Sequence, residues 1–181
     1  MDNPGNDGDG ALRLHVGGEA PKQGWKILNI VPGEHVDFVG TCTDLSRFES
    51  GTVEAIYASH ILEHLSYADE LLPALREFRR VLKKDGLLQI SVPDFEVLCR
   101  LFIDTRLDAA MRFHIMRLVF GGQSDPHDFH KVGLTEEFLG DFLLTAGFRE
   151  IRRVDGFGLF DDTSTLKLGG IPVSLNLQAM K

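Results

Sequence analysis

Residues 53–59 read VEAIYAS and residues 86–93 read GLLQISVP, two short segments that are mostly apolar. This composition is typical of strands that are buried on both faces of a sheet. Between them, apolar residues recur at the spacing of one helix face, at Leu71, Leu75, Phe78 and Leu82. A strand, a helix and a second strand predict a parallel crossover, and therefore an α/β fold. We expect this helix to begin near Leu72, after a capping box formed by Ser66 and Asp69, with a kink at Pro73.

The rest of the chain extends the alternation of strands and helices. Further strands are predicted at residues 12–16, 25–30, 36–39, 148–154 and 173–179. Further helices are predicted at residues 95–104, 107–120 and 136–146. The first two strands are separated by residues 17–24 alone, so a helix in that crossover can only be vestigial. The predicted fold is a doubly wound, Rossmann-like, mostly parallel sheet of about seven strands with an antiparallel C-terminal strand.

Composition restricts the class of protein. The 181 residues include 43% hydrophobic and 25% charged residues, which is ordinary for a folded domain. We therefore expect a single domain over residues 11–181, preceded by a disordered acidic tail at residues 1–10. The formal net charge of −8 opposes binding to nucleic acid or to an anionic membrane. Two cysteines without a C-x-x-C motif favour a reduced, cytoplasmic setting.

Four segments together resemble a known family. They are LHVGG (residues 14–18), TDLSRF (residues 43–48), GTVEAIYASHILEHL (residues 51–65) and LREFRRVLKKDGLLQISVPD (residues 75–94). In order and spacing they are similar to class I S-adenosylmethionine-dependent methyltransferases of the ubiquinone-biosynthesis-like kind. The resemblance is strongest to a small predicted methyltransferase group with a shortened first crossover. It implies a methyltransferase that uses S-adenosylmethionine and acts on a small polar acceptor, with a sugar hydroxyl as the suggested target.

The resemblance also implies which residues contact the cofactor. Gly17 and Gly18 would face its amino-acid end, and Asn29 stands where the family usually has an acid that accepts from both ribose hydroxyls. The remaining implied positions flank the adenine or lie beside the methionine moiety, and they are Asp44, Leu45, Ser59 and His60. The chain departs from the family at Asn29 and at Glu19, whose carboxylate would repel the cofactor carboxylate if it faced the site. Because a carboxylate accepts charge-assisted hydrogen bonds, we expect Asn29→Asp to tighten cofactor binding.

The segment FGGQSDPHDFH at residues 120–130 supplies the candidates for catalysis. It lies in a long loop, from Gly121 to Leu134, on the side where an acceptor would enter, and such loops often carry function. If the acceptor is a hydroxyl, a general base is useful, and we assign that role to His127 or His130. An exposed polar loop with packed histidines is the alternative interpretation.

Two other functions stay open at this point. The chain could be a non-catalytic binding or scaffold protein that keeps the methyltransferase fold and has lost its cofactor. Residues 60–64, HILEH, also match the H-x-x-E-H zinc-hydrolase pattern, which requires His60 and His64 on one helix face. We predict no metal, because the preceding strand argues against that helix. The expected partner is a small-molecule acceptor rather than nucleic acid or membrane, with a homodimer left open.

Overall fold

The computed structural model describes residues 11–181 and contains a seven-stranded sheet, four α-helices and a separate two-stranded sheet. The predicted acidic tail at residues 1–10 lies outside the described residues. The strands are β1 Leu12–Val16, β2 Lys26–Asn29, β3 Phe38–Val39, β4 Val53–Ser59, β5 Leu82–Pro93, β6 Arg149–Arg153, β7 Lys167–Leu168, β8 Ile171–Pro172 and β9 Ser174–Met180. The helices are α1 Leu71–Val81, α2 Phe95–Phe102, α3 Ala109–Phe120 and α4 Glu136–Ala146.

The large sheet has the strand order β3-β2-β1-β4-β5-β9-β6. Strands β1 to β5 pair in parallel, and β9 is antiparallel to both of its neighbours, β5 and β6. This is the predicted mostly parallel α/β sheet with an antiparallel C-terminal strand. The order reverses between β1 and β4, and ligands bind at such a switch point in open α/β sheets. The carboxyl ends of β1 to β4 are therefore where a site is expected.

One face of the sheet carries the main hydrophobic core. Side chains of β1, β4, β5 and β9 pack there against α1 and α4, and they are closed off from solvent. Helix α1 begins at Leu71, one residue before the prediction, and Pro73 falls in its first turn, where the missing N–H breaks no helical hydrogen bond. The predicted partner of Ser66 was wrong: Glu70, not Asp69, accepts from the Ser66 backbone N–H at 2.7 Å.

Side-chain caps begin both α3 and α4. At α3 the cap is Asp108, which accepts from the Met111 backbone N–H, and not Thr105, which the spacing of Thr105 and Asp108 predicts as a capping box. At α4 the cap is the predicted Thr135, which accepts from the Phe138 N–H. Gly147, with φ +95°, closes α4 in the left-handed conformation, as the sequence predicts. The β7–β8 hairpin was not predicted, since each of its strands has only two residues.

The first crossover contains no helix among residues 17–25. The sheet face that such a helix would cover is closed by a loop from the C-terminal part of the chain. Phe160 from this loop packs on His15 of β1 at a ring distance of 3.9 Å, and on Tyr57 of β4 at 4.8 Å. Trp25 adds an edge-on contact to Phe160 at 5.5 Å. The shortened crossover is thus compensated from elsewhere in the chain.

Across residues 11–181, none of the helices combines the length and the apolar character needed to cross a membrane.

Candidate active site

A cavity of about 320 Å³ opens at the carboxyl ends of β1, β2 and β3, within the size range of small-molecule sites. Its floor comes from the strand ends and the turns that follow them. The residues that share this position are Val16, Gly17, Leu28, Asn29, Thr41 and Cys42. Burial raises the pKa of the Cys42 thiol to about 11, so this wall residue is an inert apolar group at neutral pH.

The rest of the lining comes from the segment after β4 and from the long loop between α3 and α4. Ile61, His64 and Leu65 supply the first part, and Pro126, His127, Phe129 and Lys131 the second. The loop is held by Asp128, whose carboxylate accepts from Ser124 Oγ at 2.8 Å and from the Gly122 N–H at 3.2 Å. These hydrogen bonds keep the pKa of Asp128 below its usual value. Asp128 therefore shapes the loop.

Gly17 sits where the chain leaves β1 and turns along the cavity. Its φ of +75° is unfavourable for any residue with a side chain, and a Cβ here would lie 2.0 Å from Ile61 Cδ1. The Gly17 N–H donates to the Leu28 carbonyl at 2.8 Å, which ties the turn to the end of β2. A glycine at this position lets the backbone of β1 pass close to Ile61 and still form the cavity wall.

Asn29 connects the same turn to β2. Its Nδ2 donates to the Gly18 carbonyl at 3.0 Å, and its Oδ1 accepts from the Val31 N–H at 3.0 Å. The structure adds a donor role, which a carboxylate could not fill.

The other implied cofactor residues are not brought to the cavity. Asp44 is exposed and accepts from the Ser46 backbone N–H. Hydrogen bonding to Ser46 lowers the pKa of Asp44. Leu45 is fully buried in the core. Ser59 ends β4, and His60 follows it with φ +54°, outside the cavity wall. Gly18 lies beside the cavity without lining it.

The two candidate bases occupy different positions. The exposed His127 lies on the cavity wall. His130 is half-buried behind it: its ring meets that of His64 edge-on at 4.8 Å, and its Nδ1 lies 3.1 Å from the Leu118 carbonyl. Burial lowers the pKa of His130, so its ring is neutral at pH 7. The structure thus brings His127 to the cavity and places His130 one layer further out.

Two charged residues at the cavity were missed in the sequence. Lys131 Nζ donates to Glu70 Oε2 at 2.9 Å, which joins the α3–α4 loop to the start of α1. This hydrogen bond, with that from Ser66, lowers the pKa of the Glu70 carboxyl. In the sequence, Glu70 is marked only by its position directly before the apolar helix, and no local pattern marks Lys131 as a cavity residue. Glu19, whose carboxylate would repel the cofactor carboxylate if it faced the site, is exposed and does not line the cavity.

The cavity fits the cofactor that the sequence implies. It lies at the switch point of the sheet, it has an apolar side formed by Leu28 and Ile61, and polar groups of Asn29 and Thr41 converge on it. A nucleoside needs both kinds of surface, one for its base and one for its ribose hydroxyls.

Comparisons with known proteins agree with this geometry. A family model described as a methyltransferase domain matches residues 22–90. A SAM-dependent methyltransferase from Archaeoglobus fulgidus superposes with a TM-score of 0.60 at 16% identity, over 95% of this chain and 86% of that chain. The 1,6-didemethyltoxoflavin-N1-methyltransferase of Burkholderia thailandensis, solved with S-adenosylhomocysteine, superposes with a TM-score of 0.57 at 18% identity. The superposition covers 95% of this chain and 71% of that chain. The YcgJ protein of Bacillus subtilis superposes with a TM-score of 0.58 at 16% identity, over 95% of this chain and 92% of that chain.

No curated protein matches the chain. At these identities the solved structures establish the fold, and the family model matches a segment that contributes Leu28, Asn29, Thr41 and Cys42 to the floor of the cavity. The ubiquinone-biosynthesis-like subgroup stays a prediction. The chain thus has the fold of the class I S-adenosylmethionine-dependent methyltransferases, and its residues 22–90 match a methyltransferase domain.

Proposed function

We propose that the chain methylates a hydroxyl group of a small polar acceptor, with a sugar hydroxyl as the first candidate. The observation that carries this proposal is the position of His127, an exposed imidazole that lines the same cavity as the turn at Gly17. A hydroxyl must lose its proton as it is methylated, and an imidazole at that wall can take it. The sugar itself is suggested only by the resemblance. We also propose that residues 11–181 form one domain and that the protein acts in the cytoplasm.

The chain's own residues divide the work of binding. We assign the turn at Gly17 and Gly18 to the amino-acid end of the cofactor and the free lone pair of Asn29 Oδ1 to a ribose hydroxyl. Thr41 and Cys42, rather than Asp44 and Leu45, line the side where the base would lie. When bound, S-adenosylmethionine supplies an electrophilic methyl group, so the protein mainly has to align the acceptor and remove its proton. Alignment of this kind is worth about 7–11 kcal/mol in favourable cases.

His127 is preferred to His130 as the base because of its access to the cavity. The backbone N–H of His127 donates to Asp125 Oδ1 at 2.7 Å, which fixes the loop and leaves the imidazole at the wall. His130, by contrast, has one ring nitrogen occupied by the Leu118 carbonyl and is absent from the wall.

The test is methyl transfer from labelled S-adenosylmethionine to a panel of sugars, amino sugars and small amines. We expect transfer to hydroxyls, and we expect His127→Gln to lower kcat by about 10²–10⁴-fold. Affinity for S-adenosylhomocysteine should stay within about twofold. His114→Gln, an exposed histidine on α3, is the matched control and should be unaffected. Transfer to amines alone, or an equal loss of kcat and cofactor affinity in His127→Gln, would contradict the proposal.

A further inference from the structure

Three metal-binding side chains meet behind the cavity wall. Glu63, His64 and His130 each offer one ligand atom, and these atoms lie within 4.8 Å of one another. Glu63 and His64 belong to a 3-10 turn at Leu62–His64, and His130 comes from the α3–α4 loop, 66 positions later than His64. The cluster therefore exists only in the folded chain.

Both histidines are oriented as metal ligands usually are. His64 Nδ1 lies 3.2 Å from the Phe129 carbonyl, and His130 Nδ1 lies 3.1 Å from the Leu118 carbonyl. A carbonyl can only accept, so in each ring Nδ1 carries the proton and Nε2 keeps a free lone pair. A backbone carbonyl that fixes the tautomer in this way is the common support of a metal-bound histidine.

Glu63 supplies an independent observation. Its side chain is only 2% exposed, and among residues 11–181 neither carboxylate oxygen has a hydrogen bond of acceptable geometry. His60 Nδ1 lies 3.2 Å from Oε1, and His60 Nε2 in turn lies 3.2 Å from Ser174 Oγ. A buried carboxylate is costly unless a cation or several donors compensate it. The single imidazole nitrogen of His60 does not provide several donors.

The backbone holds the two parts of the cluster together. The Glu63 carbonyl accepts from the Lys131 N–H at 2.7 Å and from the Val132 N–H at 3.3 Å, and the His130 N–H donates to the Phe120 carbonyl at 3.2 Å. The ligand atoms are thus positioned by main-chain hydrogen bonds on both sides. Such support is what a preorganised site requires.

We propose that Glu63, His64 and His130 bind one divalent cation of the zinc class. Two imidazoles and a carboxylate form a ligand set that suits Zn²⁺, with bond lengths of about 2.0–2.2 Å. Four-coordinate geometry then needs ligand atoms about 3.3 Å apart, so their separations, now within 4.8 Å, would shorten by at most roughly 1.5 Å on binding. His60 orients the carboxylate from outside the ligand set.

Three protein ligands leave the fourth position of the cation open. His64 belongs both to the cluster and to the cavity lining, so a cation held here would lie next to the cavity. A water or the acceptor hydroxyl would occupy it, and the cation would lower the pKa of that hydroxyl. This last step rests on the proposed function, whereas the cation site itself does not.

The ligand set differs from that of the H-x-x-E-H pattern. That pattern needs His60 and His64 one α-helical turn apart, but the structure has a three-residue 3-10 turn there, and His60 precedes it with φ +54°. His130 replaces His60 as a ligand. The zinc-hydrolase alternative, which relied on an α-helix at these residues, is therefore not supported by the geometry.

The test is titration of the full-length, untagged and chelator-treated protein with ZnCl₂ by calorimetry. We expect one equivalent to bind, and Glu63→Gln and His130→Gln each to weaken binding at least a hundredfold. His114→Gln should bind like wild type. Substitution of wild type with Co²⁺ should give the intense visible absorption of a four-coordinate site, a readout that does not depend on any variant folding. Failure of wild type to bind ZnCl₂, or unchanged binding in Glu63→Gln, would overturn the site.

Methyl transfer by the metal-free protein separates this inference from the proposed function. Loss of transfer on chelation, restored by ZnCl₂, supports a cation at the acceptor. Full transfer by metal-free protein that still binds one equivalent of zinc overturns the acceptor role and keeps the site. Full transfer by a protein that binds no zinc overturns the site and leaves the proposed function standing.

Discussion

Gly17 and Gly24 form a matched pair at the residue scale. Both have positive φ, +75° and +81°, but a Cβ on Gly17 would strike Ile61, whereas one on Gly24 would meet nothing within 4 Å. Alanine at either position carries a backbone strain of about 1–2 kcal/mol. We expect Gly17→Ala to weaken S-adenosylhomocysteine binding more than tenfold, because the cavity wall must shift, and Gly24→Ala to leave it unchanged. Calorimetric affinities and thermal unfolding of both variants test this.

The contrast between the two variants decides the interpretation. If Gly17→Ala binds the ligand as Gly24→Ala does, the turn after β1 does not contact the cofactor. A similar loss of affinity in both would indicate a general effect of strain.

Asn29→Asp now has a different expected result from the one that the sequence alone suggested. The substitution places a carboxylate oxygen against the Gly18 carbonyl, where Nδ2 donates at 3.0 Å in the native chain. Losing a donor to a carbonyl costs about 1–3 kcal/mol. We expect a lower melting temperature and no gain in S-adenosylhomocysteine affinity, measured on the same samples. Tighter binding at unchanged stability would show that the donor role is unimportant and that the ribose hydroxyls prefer the acid.

At the scale of elements, one helix stabilises the long connection from β3 to β4. Arg80 on α1 donates to the carbonyls of Leu45 and Phe48, both at 2.9 Å, and forms a two-pronged pair with Glu77. No helix occurs within residues 40–52, so these hydrogen bonds replace the packing that a crossover helix would provide. A lysine has a single nitrogen and cannot reach all three partners.

We therefore expect Arg80→Lys to lower the free energy of unfolding by about 2 kcal/mol. Arg76→Lys, on the exposed side of the same helix, should change it by less than about 0.5 kcal/mol. Urea unfolding of both variants gives the comparison. Equal effects would show that the contacts of Arg80 to the connection contribute little.

For the whole molecule, the loop that covers the second sheet face makes stability dependent on pH. His15, under Phe160, is 7% exposed, and burial lowers its pKa from 6.5 to about 4, against a smaller opposing effect of Asp162. The unfolded chain binds a proton at His15 below pH 6.5, whereas the folded chain does so only near pH 4. The contribution of neutral His15 is therefore complete above pH 6.5 and is lost as the pH falls toward 4.

Between pH 6.5 and pH 5 this contribution should fall by about 1–2 kcal/mol in wild type. His15→Phe keeps a ring in contact with Phe160 and Tyr57 but cannot be protonated, so this part of the pH dependence should disappear. His114→Gln, an exposed site, should retain the wild-type dependence. Urea unfolding at the two pH values checks the prediction, and it fails if His15→Phe and wild type lose stability in parallel.

Much of the fold follows from local chemistry that can be read along the chain. Thr135 and Gly147 mark helix ends because caps act within a few residues, and the apolar run of β4 marks a buried strand. The glycine turn at Gly17 and the base candidate His127 were found in the same way, and both line the cavity. Each of these signals depends on interactions between near neighbours in sequence.

Tertiary structure decided what depends on distant pairs. Phe160 over His15, Lys131 on Glu70, and His130 beside Glu63 and His64 each join segments at least 60 residues apart, and no spacing rule connects them. The cofactor contacts implied for Asp44 and Leu45 stay predictions: Asp44 is exposed, Leu45 is buried, and neither lines the cavity. The sequence by itself determined the sheet, its helices and the glycine turn, because hydrophobic periodicity and capping are local. Only the fold decided the walls of the cavity and the cluster behind it, because side chains from remote segments meet there through packing.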